Sequence, residues 1–157
     1  MTKTIPDGYH SVTPMLMYKD ARKAIEFYKQ AFGATQRFSM PGPGGVGIMH
    51  AEILIGDSII MMGDENPYES CKSAQTAGGS PVSFYIYVDR VDEAFLRAKE
   101  AGADVRMPVQ NMFWGDRVGA VQDPFGYSWS LATHIKDPTP KEIEEGAEAF
   151  IAQMTKK

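Results

Sequence analysis

The chain has 157 residues, 43% of them apolar and 23% charged, which is the size and balance of one globular domain and excludes a disordered segment. A net charge of −4 argues against the clustered basic face of a nucleic-acid binder, and no apolar run reaches membrane-spanning length. One cysteine, Cys71, excludes an internal disulfide and fits a reducing compartment, and "MTKTIPDGYH" lacks the apolar core of an export signal. A cytoplasmic protein is therefore expected. Cys71 reads as an ordinary free thiol in a polar loop.

In chain order, "PMLMYKDARKAIEFYKQAFGA" (Pro14 to Ala34) predicts a strand and then a helix. Asp20 is the expected N-cap, and Gly33 the expected stop. Between them Ala21, Ala24, Ile25 and Tyr28 recur at helical spacing and form one buried stripe. Three strands follow, "ATQRFSM", "GIMHAEILIG" and "DSIIMMGDE", the first two joined by turn-forming residues. "GPGGVG" (Gly42 to Gly47) belongs to that turn. It lacks the Lys-Ser/Thr ending of a phosphate loop.

Beyond a polar, turn-rich linker the pattern begins again. "FYIYVDRVDEAFLRAKEAGA" (Phe84 to Ala103) repeats the opening strand and helix. Adding 70 to the first stripe gives Val91, Ala94, Phe95 and Ala98, with Asp89 as expected N-cap and Gly102 as stop. "ADVRMPVQNMF", "RVGAVQDPFG" and "YSWSLATH" predict three more strands, and Gly56 and Gly126 stand 70 apart in corresponding turns. Each half thus reads as βαβββ: module one over about 9–65, a linker over 66–80, and module two over about 81–134. In the last strand Tyr127 and Trp129 share one face, Ser128 and Ser130 the other. A final helix is expected over about 139–154, with a Thr139/Glu142 capping box and Pro140 in its first turn. Its apolar stripe (Ile143, Ala147, Phe150, Ile151, Met154) should dock on the body or on a partner subunit.

The stretches "YHSVTPML", "DARKAIEFYKQAFGA", "IMHAEILIGDSIIMM", "GGSPVSFYIYV", "FWGDRVG" and "DPFGYSWSLATH" span Tyr9 to His134. Together they resemble the vicinal oxygen chelate superfamily of glyoxalase I, fosfomycin and bleomycin resistance proteins and extradiol dioxygenases. Its PhnB-like branch is the nearer match. The resemblance implies an α+β fold in which two βαβββ modules form a curved, incompletely closed, eight-stranded mixed sheet around a cavity. It also implies a homodimer. The superfamily does not fix one chemistry.

Metal-dependent members hold a divalent ion with inward His, Gln or Glu side chains from the first and last strands of each module. Carried over by motif, those slots fall at Thr13, Ile60 (Met61 if the register is off by one), Ser83 and Ser130. None is a good ligand for a hard divalent ion. Relatives in the PhnB-like branch often carry a histidine where this chain has Tyr85. No metal and no cofactor is therefore expected. A methyltransferase reading also fails, because the chain has no glycine motif or doubly wound pattern for such a cofactor.

Two other groups stand out. His50 and Glu52 alternate on one strand face, where they either hold zinc with a further donor, or His50 sits in a satisfied hydrogen-bonded network while Glu52 faces solvent or forms a salt bridge. "NMFWGDRVG" offers the apolar face of Trp114, with Asp116 and Arg117 beside it; Arg117 either grips a carboxylate or phosphate or pairs locally with Asp116. His134, just past its strand, reads as a surface or interface residue. The candidate ligand-binding residues are therefore His50, Glu52, Tyr85, Trp114, Asp116 and Arg117. The expected function is metal-independent binding of a small molecule, with no nucleic-acid or membrane partner. The alternative is a glyoxalase- or dioxygenase-like metalloenzyme with an unusual site at His50 and Glu52.

Overall fold

The computed structural model describes residues 2–68 and 70–155; Glu69, in the predicted linker, lies outside the described residues. The first module runs β1 (Met15–Tyr18), α1 (Ala21–Phe32), β2 (Thr35–Pro41), β3 (Ile48–Ile55) and β4 (Ser58–Asp64). A short helical turn, α2 (Ala74–Ala77), interrupts the connection. The second module runs β5 (Ser83–Tyr87), α3 (Val91–Glu100), β6 (Asp104–Asn111), β7 (Asp116–Gln122) and β8 (Ser128–His134), followed by α4 (Pro140–Met154). Within the linker, α2 forms because the Ser73 hydroxyl accepts from the Thr76 amide and Gly78 takes a left-handed conformation at its end.

The helices form where the apolar stripes place them. Ala21, Ala24, Ile25 and Tyr28 are all buried, Asp20 caps the Lys23 amide, and left-handed Gly33 ends α1. On α3 the stripe is also inward, with Val91, Ala94 and Ala98 buried and Phe95 packed against the core. Its cap differs from expectation. Arg90, not Asp89, precedes the helix, and no side chain of that segment caps it. The Val91 amide instead donates to the Thr133 hydroxyl of β8, so the sheet supplies the missing acceptor.

The eight strands make two mixed four-stranded sheets, in the order β1-β4-β3-β2 and β5-β8-β7-β6. In each the first strand pairs parallel with the last, and the remaining pairs are antiparallel. Both inner faces carry alternate apolar residues against the helices, such as Ala51, Ile53 and Ile55 on β3. Helix α1 lies against α3, and one hydrophobic core runs through both modules.

A polar knot locks the modules together inside that core. Asp123, 3% exposed, accepts from the Tyr28 hydroxyl at 2.5 Å and the Trp129 indole N–H at 2.8 Å. It also accepts from the amides of Phe125 and Tyr127, both at 2.9 Å. Tyr28 belongs to module one and Asp123 to module two. Tyr18 extends the knot at 2.9 Å from Tyr28, and the Tyr127 hydroxyl donates to the Met17 carbonyl.

The outer edge strands, β2 and β6, are irregular. The register slips between Gln36 and Phe38 and between Met40 and Pro41 on β2, and twice between Val105 and Gln110 on β6. Helix α4 has the expected capping box and is tethered by contacts with the Phe113 loop. Gly146 sits so close to Phe113 that a Cβ there would collide with it, and Phe150 lies 5.9 Å from the same ring. None of α4 is buried: Ile143, Phe150, Ile151 and Met154 all remain exposed.

Candidate functional site

A cavity of about 730 Å³ lies between the free edge of β5 and the β3–β4 hairpin, with the stretch before β1 along one side. Its apolar lining includes Phe32, Ile60, Phe84 and Trp129. Trp129 stacks on Phe84 at 4.6 Å and lies 4.8 Å from Phe32, so both modules contribute to this lining. Polar lining comes from Thr13, Asp57, Ser58 and Asp89, together with His10 and the two tyrosines of β5. The volume falls in the range of small-molecule pockets.

The sheet faces turned away from the helices carry two polar clusters. On the first sheet, Glu52 is half-buried and accepts a hydrogen bond from the Tyr9 hydroxyl. His50 Nε2 stands 3.4 Å from the same carboxylate, and Arg37 is 3.7 Å away, stacked over the Tyr9 ring. The Tyr9 hydrogen bond, aided by His50 and Arg37, holds the Glu52 carboxyl below the usual carboxylate range despite burial, while the same carboxylate raises the Tyr9 phenol. His50 and Glu52 do come together, within a network that already occupies the carboxylate.

On the second sheet the centre is Asp116, 3% exposed. It accepts from the Tyr85 hydroxyl at 2.7 Å and the Tyr87 hydroxyl at 3.1 Å, and pairs with His134 Nδ1 at 2.7 Å. The Trp114 indole N–H reaches the Tyr85 hydroxyl at 3.3 Å. His134 Nε2 meets Asp137 at 2.9 Å. Burial alone would raise the Asp116 carboxyl, but the His134, Tyr85 and Tyr87 hydrogen bonds outweigh it and hold it low. Asp116, seconded by Asp137, raises the His134 imidazole. Burial pushes the Tyr85 phenol up to about 12.

Tyr85, Trp114 and Asp116 are thus gathered, and Arg117 is not. Successive strand residues point to opposite faces, so Arg117 turns toward α3 and forms a fork with Asp92 at 2.8 and 2.7 Å, plus a bond to Asn111. The local Asp116–Arg117 pair does not form. His134 and Tyr87 belong to the cluster and were missed as site residues. Folding the last hairpin about its turn would have found His134, because Asp116 and His134 pair across β7 and β8 at equal distances from Phe125. Tyr87 follows from Tyr85 by strand alternation.

The metal slots also need one correction. Ile60 is 4% exposed, pairs with Ile53 and points into the core. Met61 pairs with both Met15 and Glu52 and takes the slot on the open face. The shift arises because a two-residue turn joins β3 to β4, whereas a longer turn, Asp123 to Tyr127, joins β7 to β8. The donor set is then two serines, a threonine whose hydroxyl already donates to the His10 carbonyl, and a thioether. These residues do not fit a hard divalent ion. Every buried side-chain polar atom among the described residues has a protein partner, so none is left pointing at an ion. No three of His, Cys, Asp and Glu converge among the described residues; the carboxylates at His134 lie on opposite ring nitrogens.

Comparison with known proteins agrees with this architecture. The chain is 37% identical over 137 residues to the uncharacterized protein Rv0887c of Mycobacterium tuberculosis, a match covering 85% of this chain and 80% of the relative. The structure of TioX from Micromonospora sp. ML1 superposes with a TM-score of 0.63 at 30% identity, over 80% of this chain and 99% of that one. The PhnB protein of Bacillus cereus shares the fold, with a TM-score of 0.60 at 18% identity over 79% of this chain and 99% of its own. The family model for the glyoxalase/bleomycin resistance protein/dioxygenase superfamily matches residues 10–131, and the chain belongs to that superfamily.

Proposed function

We propose that this protein binds a small organic molecule without a metal, in the cavity between its two modules, as a cytoplasmic homodimer. The observation that carries the reading is the cavity itself. About 730 Å³ of space is lined by stacked aromatic and aliphatic side chains, while the superfamily's metal slots hold Thr13, Met61, Ser83 and Ser130. Aromatic and aliphatic walls with a few polar groups at the rim are the usual make-up of a small-molecule site. The exposed apolar side chains of α4 support the dimer, because a second copy would cover them. No helix among the described residues is long and apolar enough to cross a membrane.

The test is elemental analysis of untagged protein, before and after incubation with Zn, Ni, Mn and Fe, followed by thermal-shift screening with flat aromatic compounds. The expected outcome is no stoichiometric metal, together with ligands that raise the melting temperature. Tight stoichiometric metal that disappears in His50→Ala would overturn the reading in favour of a metalloenzyme centred on His50 and Glu52. Sedimentation analysis should give twice the 17.3 kDa chain mass.

A further inference from the structure

One wall of the cavity is the edge of a β-strand. All six residues from Phe84 to Asp89 line it, although successive side chains of β5 point to opposite faces. A space touched by both faces of one strand lies along its edge. β5 ends its sheet and pairs on one side only, with β8. The Val88 amide donates to the Ala132 carbonyl, so Phe84, Ile86 and Val88 turn their backbone groups toward β8. Tyr85 and Tyr87 turn theirs the other way, toward the cavity. Among the described residues, none of these four N–H and C=O groups has a protein partner.

The edge is also regular. Register slips interrupt β2 and β6, but β5 pairs with β8 over all five of its residues with none, and its sequence SFYIY holds neither proline nor charge. Exposed edges ordinarily carry such interruptions, because a regular one accepts a further strand. Near the start of β5 the Tyr127 ring lies 6.4 Å from Phe84 while its hydroxyl donates to the Met17 carbonyl, which holds β5 close to β1. Farther along, the β3–β4 turn and Val12 to Pro14 form the opposite wall. The space is thus a slot for a slender chain, and a second folded copy approaching β5 has module one in its way.

We infer that the cavity takes an extended peptide, which adds as a strand along β5. Its main-chain amides meet those of Tyr85 and Tyr87, which recur every two residues, about 6.6 Å, as they do in the peptide. Its alternate side chains fall toward the half-buried Phe84 and Ile86 on one face and the exposed tyrosine rings on the other. Those rings are held in place by the bonds of their hydroxyls to Asp116. A ligand without amides would strip water from four backbone groups and return no hydrogen bonds. Main-chain bonding combined with pockets for alternate side chains is how strand addition recognises peptides in general. This assignment names a ligand class for the binding function proposed above and rests on it.

The experiment uses the full chain and a synthetic set of pentapeptides, acetyl-X-Thr-X-Thr-X-amide, with X drawn from Val, Leu, Phe and Tyr. At least one should bind below about 1 mM in calorimetric titration. N-methylation of one alternate set of its amides should weaken binding at least about tenfold, while methylation of the other set changes it by less than about twofold. At ten times the dissociation constant, NMR-detected exchange of the Tyr85 and Tyr87 amides should slow about tenfold, with Phe84 and Ile86 unchanged. Equal tolerance of both methylated sets means that side chains alone are recognised and overturns the assignment. Tyr85 and Tyr87 amides that are protected without peptide, and lose that protection on dilution, also overturn it in favour of a second copy on the edge. If no peptide binds while flat aromatic compounds do, the peptide assignment falls and the binding function stands; failure of both kinds of probe counts against both.

Discussion

Replacing Tyr28 with phenylalanine removes one oxygen atom from the polar knot between the modules and leaves its ring in place. That hydroxyl donates to buried Asp123 at 2.5 Å and contacts the Tyr18 hydroxyl at 2.9 Å. A hydrogen bond to a charged group contributes about 1.5–3 kcal/mol, and stranding the Tyr18 hydroxyl adds to the loss, so Y28F should cost about 2–4 kcal/mol. With a urea slope of about 2 kcal/mol per molar for a chain of this size, the unfolding midpoint should drop by about 1–2 M. Tyr127→Phe is the control, since its hydroxyl donates only to the neutral Met17 carbonyl; about 1 kcal/mol is expected.

The loss should also depend on pH in a defined direction. Burial raises the Asp123 carboxyl above the ordinary carboxylate value, although four donors pull it back. A carboxyl raised by folding stabilises the native state fully below its unfolded value, and that contribution fades as pH climbs through the folded value. Y28F removes one of the lowering donors and lifts the folded value further. The deficit of the variant should therefore be smallest in acid and grow toward neutral pH. A midpoint shift below about 0.3 M, or one that is the same at acid and neutral pH, would refute the claim that this bond ties the modules together.

Three further outcomes follow from the structure. Asp116→Asn should bring the raised His134 imidazole down toward its ordinary value in a proton NMR titration, and Asp137→Asn should do so by less, because Asp116 is the larger cause. A histidine raised on folding stabilises the native state below its unfolded value, a contribution lost as pH rises through the folded one, and this pH dependence should flatten in Asp116→Asn. Gly146→Ala would push a Cβ into Phe113, so α4 should release from the Phe113 loop; faster amide exchange or proteolysis there, with an unchanged core melting temperature, is the signature. Gly115→Ala faces both a left-handed backbone (φ 97°) and a collision with the Lys136 carbonyl, and should cost about 2 kcal/mol or more in chemical denaturation.

The repeat and the helix stripes were legible because helical burial leaves a period in the sequence that does not depend on the partner. Ala21, Ala24, Ile25 and Tyr28 are inward for that reason. Less legible were features decided by contacts across the chain. The cap of α3 comes from Thr133, 42 residues away from Val91, and the Ile60/Met61 register depends on the length of one turn. The candidate site divides the same way. Strand alternation placed His50 beside Glu52, and the same rule, applied to Asp116 and Arg117, puts them on opposite faces. His134 was overlooked because its partner lies across a hairpin, where the pairing depends on the centre of the turn and not on neighbouring residues.

The slipped registers on β2 and β6 have a consequence for the protein in a crowded cell. A straight outer strand exposes a row of amides and carbonyls onto which another chain can add, and repetition of that event builds a fibril. Here both outer strands are bent by bulges, Pro41 and Pro108 each remove a donor, and Arg37 and Arg106 place charge along the rims. The molecule is thus poorly suited to templating its own aggregation from these rims, and a hydrophobic substitution at Arg37 or Arg106 would weaken that protection without disturbing the core.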